Sequence, residues 1–133
     1  MDNINDIIAS LIAIQNYSKD IHYNCIGKEA YSWHLLADRV QDNLSEYIDR
    51  LKEYMLGCDI NPLSSKEYLS RAMEIIPDIE TNTILSFTKL QNLIVGTLNL
   101  IEETKLNKAG DNLISEIADN LTNSNGIINL VIS

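Results

Sequence analysis

One pattern runs through almost the whole chain: apolar residues recur at three- and four-residue intervals, the spacing of a helix face. Ile4, Ile7, Ile8, Leu11, Ile14 and Ile21 carry it through the first segment. Val40, Leu44, Tyr47, Leu51 and Met55 carry it through the second, and Leu113, Ile117, Leu121, Ile128 and Val131 through the last. With five Gly and two Pro in 133 residues, long helices meet few interruptions. No alternating run long enough for a sheet competes, and no internal repeat or low-complexity tract appears. Each helix then has one apolar stripe to hide, and such stripes are buried most simply against one another in a four-helix bundle.

Punctuation residues divide the pattern. Gly27 interrupts after the first helix, and a second long helix is expected from about Glu29 to Met55, stopping at Gly57. CDINPLSS reads as a loop, with Ser64 or Ser65 a candidate N-cap for a short helix, SKEYLSRAM. Pro77 marks a new start, and the third long helix is expected over 78–105. LNKAG makes a tight connection and the fourth helix begins near Asp111, although NSNG at 123–126 weakens helical propensity inside it. The expected architecture is all-α. It is a single domain over residues 1–133, a four-helix bundle with a short helix in the crossover between the second and third long helices.

The formal net charge is −9 and the pI is about 4.5. That balance disfavours direct binding to nucleic acid or an anionic membrane, which need a positive face, and favours cations or plain solubility. Two cysteines, Cys25 and Cys58, are too few for a disulfide framework and read as free thiols in a reducing cytosol. The acidic start MDNINDIIASLIAIQ does not resemble a signal peptide, and no apolar run approaches the roughly 18 residues that would span a bilayer. A soluble cytoplasmic protein is expected.

Both histidines, His22 and His34, fall inside HYNCIGKEAYSWHLLAD, and Asp38 follows His34 by one turn. On a continuous second helix, with His34 at zero, Asp38 falls at about 40°, Asp49 at about 60° and Glu53 at about 100°. The apolar residues of the same helix, Trp33 among them, fall between roughly 220° and 300°. The four potential ligands therefore face nearly away from the core. Asp38 and Asp49 lie about 16 Å apart along the helix, too far for one ion, so they belong to two half-sites. An antiparallel two-fold mate would place Asp38 opposite Asp49 and His34 opposite Glu53 about one dyad, between Asn43 and Leu44. Each resulting site takes His34 and Asp38 from one chain and Asp49 and Glu53 from the other, with His22 able to fold back across the Gly27 turn. Imidazole with carboxylate suits Fe, Mn or Zn. On periodicity alone a solvated acidic face is the commoner explanation. A zinc site from Cys25 and His22 lacks the four-ligand spacing such sites use.

HYNCIGKEAYSWHLLADRVQDNLSEYIDRLKE resembles the signature of Dps-type miniferritins, the DNA-protection-during-starvation proteins of the ferritin-like superfamily. Their motif runs His, eleven residues, His, three, Asp, ten, Asp, three, Glu, and His22, His34, Asp38, Asp49 and Glu53 fill its five positions. HYNCIG is similar to the family's HWNxxG, with Tyr23 where the family usually has Trp. The resemblance implies a ferritin-like bundle assembling as a hollow homo-oligomer, a dodecamer, with di-iron ferroxidase centres at two-fold interfaces. It implies oxidation of Fe(II) by hydrogen peroxide, or by oxygen, and storage of ferric mineral inside. His22, His34 and Asp38 would come from one subunit, Asp49 and Glu53 from its neighbour, with Zn or Mn as other candidate metals. DNA binding is not carried over, because the chain has no Lys-rich tail and its charge repels phosphate. The alternative is a ferritin-like structural or interaction protein with little ferroxidase activity.

Overall fold

The computed structural model describes residues 2–133. Its elements are α1 (Asp2–Asn24), α2 (Ala30–Gln41), α3 (Leu44–Gly57), α4 (Ser65–Ile75), α5 (Thr83–Glu102) and α6 (Lys108–Ile132). No strand occurs among the described residues. The stripe read from the first segment is the centre of the core: Ile4, Ile7, Ile8, Leu11 and Ile14 are fully buried, and Ile21 nearly so. α1 packs against α2, α3, α4 and α5, while α6 closes the bundle against α5, α2 and α3. Four long arms and a short crossover helix result, as the apolar stripes require.

The second arm differs from the expectation. It is not one helix but two, α2 and α3, broken at Asp42 and Asn43. Asp42 is extended (φ −59°, ψ 144°) and Asn43 is left-handed (φ 67°, ψ −11°). Asn is one of the few non-glycine residues that enter this region at modest cost, because its short amide can bond locally. The Asp42 N–H still closes α2 on the Asp38 carbonyl, and Tyr47 N–H opens α3 on the Asn43 carbonyl. Apolar spacing continues across the break, so periodicity does not reveal it. Wheel angles therefore hold within α2 and within α3, but do not carry from one to the other.

The crossover forms for local reasons. The Ser64 hydroxyl accepts the Glu67 N–H at 3.2 Å and caps α4. Tyr68, fully buried, donates from its hydroxyl to Asn5 Oδ1 of α1 at 2.6 Å and accepts the Leu63 N–H at 3.1 Å. Arg71 of α4 pairs with Asp6 of α1 at 2.8 Å, a half-exposed contact that contributes little beside that buried pair of bonds.

Two helix starts moved. α5 begins at Thr83 rather than Asp78, because Ile76 ahead of Pro77 is extended and the chain restarts only where Asn82 caps the Leu85 N–H. α6 begins at Lys108, where Asn107 caps Gly110 N–H at 2.9 Å. NSNG stays helical, since Leu121 and Ile128 on either side are fully buried and packing outweighs propensity. The expectation that no segment could span a bilayer is also corrected: by length and composition alone α5 could cross one. In the bundle, α5 instead buries Phe87, Leu90 and Ile94 against its neighbours.

Candidate metal centre

His22 lies in the last turn of α1 and His34 on α2, joined by the turn through Gly27, whose φ of 101° suits glycine. The turn brings the imidazoles face to face: ring centres are 3.5 Å apart and planes differ by 24°. His22 Nδ1 lies 3.1 Å from the His34 carbonyl oxygen, and His34 Nδ1 lies 2.7 Å from the His22 carbonyl oxygen. A carbonyl only accepts, so each Nδ1 carries the proton. In the neutral imidazole this is the tautomer that leaves Nε2 as a free lone pair. Fixing Nδ1–H on a backbone carbonyl is the usual way a metal-binding imidazole is oriented. Tyr23 meets the His22 ring edge-on at 4.8 Å and is itself exposed.

Asp38 is exposed on α2, one turn from His34, with Gln41 Nε2 donating to its Oδ1 at 3.0 Å. On α3, Leu44, Tyr47, Ile48, Leu51 and Met55 are buried while Asp49 and Glu53 are exposed. Asp49 and Glu53 form no hydrogen bond or ion pair among the described residues. The neighbouring cation, Arg50, points to Glu116 of α6, and that hydrogen bond raises its pKa. It leaves Asp49 un-neutralised. One chain thus brings His22 and His34 together and leaves Asp38 one turn further along α2. It does not bring Asp49 and Glu53 to the same place, and no three His, Cys, Asp or Glu side chains converge to hold an ion among the described residues.

Other assignments sort out in the same view. Trp33 is half-buried and packs against the core, and Tyr47 is buried. Tyr54 packs there too, donating to Asn107 Oδ1 at 2.8 Å. Tyr31 is 74% exposed. The Cys25 thiol donates to the Ala30 carbonyl at 3.2 Å and so braces the Gly27 turn. Sequence reasoning missed the reciprocal carbonyl contacts and the break at Asn43. Only the Asp-Asn pair at 42–43, a turn-forming dipeptide, signalled the break.

No family model matches this chain, and no curated protein matches it. Among solved structures it superposes on a DPS protein from Vibrio cholerae O1, described as a member of a broad superfamily of ferritin-like diiron-carboxylate proteins. The TM-score is 0.68 at 21% identity, over 99% of this chain and 87% of the other. The fold is ferritin-like. In this ferritin-like bundle the stacked histidines sit at the junction of the first and second arms, and Asp49 and Glu53 of α3 lie beyond a break in the second arm.

Proposed function

We propose that this chain is an iron-oxidising, iron-storing miniferritin of the Dps type, working in the cytoplasm. The observation that carries the reading is the His22–His34 pair, held in one tautomer by two backbone carbonyls with both Nε2 atoms free. Core packing gives no reason to spend the only two histidines of the chain on such an arrangement. Beside them Asp38 supplies a hard oxygen donor, a ligand type suited to iron. Asp49 and Glu53, exposed and unpaired on α3, complete the donor set when a second copy faces α2 about the dyad near Asn43. Fe(II) is then the substrate. Two ferrous ions give one electron each to a single hydrogen peroxide, its O–O bond breaks, and hydroxide rather than hydroxyl radical leaves. The ferric product passes to the interior of a hollow homo-oligomer, a dodecamer. DNA is not a partner in this reading, given the net charge of −9.

The test combines assembly with turnover. The particle is expected near twelve times the 15.0 kDa chain mass. Peroxide-driven Fe(II) oxidation is expected to collapse in the His34→Ala, Asp38→Ala double variant while the particle persists. Unchanged kinetics in that variant would overturn the site, and an assembled particle that takes up no iron would support a purely structural role.

A further inference from the structure

Two exposed apolar residues share faces with the ligands. On α2, Tyr31 precedes His34 by one turn, about 60° from it around the helix and about 20° from Asp38. On α3, Leu56 follows Glu53 by three residues, within about 20° of Asp49. Tyr31 is 74% exposed and Leu56 is 55% exposed. One exposed leucine means nothing alone. The register is what matters. The dyad between Asn43 and Leu44 that sets Asp38 opposite Asp49 and His34 opposite Glu53 also sets Tyr31 opposite Leu56. Neither residue entered the choice of that dyad, yet both are left uncovered by their own chain.

We infer that Tyr31 of one copy packs on Leu56 of a second copy of this chain, closing the outer end of each shared metal site. The inference rests on the two-fold reading of the ligands and adds two residues to it. The pair lies one turn outside His34 and Glu53, on the side away from the dyad. An aromatic ring laid on an aliphatic side chain there excludes water from that end of the site. Carboxylate–metal attraction then acts in a drier medium, where it is stronger.

Cysteine pairs test this on the assembled protein. In a Cys25→Ser, Cys58→Ser background, Tyr31→Cys and Leu56→Cys are introduced singly and together, and each sample is oxidised. A second double variant, Asp38→Cys with Asp49→Cys, reports on the two-fold interface independently. Disulfide formation requires Cα atoms within roughly 4.4–6.8 Å, so covalent dimers on a denaturing gel are a distance measurement. The expected result is a covalent dimer from both double variants and none from Tyr31→Cys or Leu56→Cys alone. A dimer from the Asp38/Asp49 pair without one from the Tyr31/Leu56 pair would overturn the apolar closure and leave the shared site standing. No dimer from either pair would overturn both. Circular dichroism confirms that each variant remains helical, which the exposure of the four positions leads us to expect.

Discussion

Replacing Tyr68 by Phe deletes a single oxygen and disconnects three elements. That hydroxyl donates to Asn5 Oδ1 on α1 at 2.6 Å and accepts the Leu63 N–H of the crossover at 3.1 Å. It also lies 3.9 Å from Met55 Sδ on α3. Tyr68 is fully buried and Asn5 is only 8% exposed, so water cannot readily replace the lost partner. A buried acceptor left unsatisfied costs about 1–3 kcal/mol, and the part-buried Leu63 N–H adds a smaller amount. Tyr68→Phe is therefore expected to lose about 2–4 kcal/mol. In a chain of this size that lowers the melting temperature by about 10 °C. Urea unfolding at fixed subunit concentration measures it, the concentration being fixed because assembly contributes to apparent stability. The midpoint should fall with the slope unchanged. Tyr23→Phe, on an exposed side chain with no hydroxyl partner, is the control and should change nothing. A loss under about 0.5 kcal/mol for Tyr68→Phe would refute the claim that this hydroxyl pins the crossover.

Two glycines on α6 should respond oppositely to alanine. A Cβ at Gly110 would sit 2.5 Å from the Tyr54 hydroxyl oxygen and 2.7 Å from Leu106 Cβ, so Gly110→Ala must displace Tyr54 from Asn107 and is expected to cost about 1–3 kcal/mol. Gly126 has open space, and Gly126→Ala should stabilise by about 0.5–1 kcal/mol through helix propensity; thermal melts of the two variants decide both signs. The pH dependence has a definite direction as well. Burial raises the pKa of Tyr17 and of Tyr68, so the folded chain holds these protons when the unfolded chain has released them. Their contribution is fully present below about pH 10 and is lost as pH rises through the folded values. Tyrosinate absorbance from these two residues should therefore appear only together with loss of helical circular dichroism. If they ionise while the helices persist, their burial is overstated.

Helix identity was legible in the sequence because periodicity is a local property. The stripe from Ile4 to Ile21 became the buried spine of α1 without exception. Ser64 capped the crossover helix, as a hydroxyl ahead of a helical pattern should. Helix continuity was less legible. The break at Asn43 costs only two residues, and the apolar pattern resumes in step after it, so a period of 3.6 survives a backbone that does not. NSNG failed in the opposite sense: poor propensity was overridden by Leu121 and Ile128, whose burial depends on α6 having neighbours.

For the candidate site the division is similar. The sequence by itself determined the ligand types and their spacing, and within α3 it determined that Asp49 and Glu53 face away from Leu51 and Met55. Those are consequences of helical geometry acting on neighbours in the chain. Only the tertiary structure decided that the Gly27 turn stacks His22 on His34 and fixes each Nδ1–H on the other residue's carbonyl. A tautomer is set by whichever acceptor lies within hydrogen-bond reach, and that acceptor is twelve residues away in sequence.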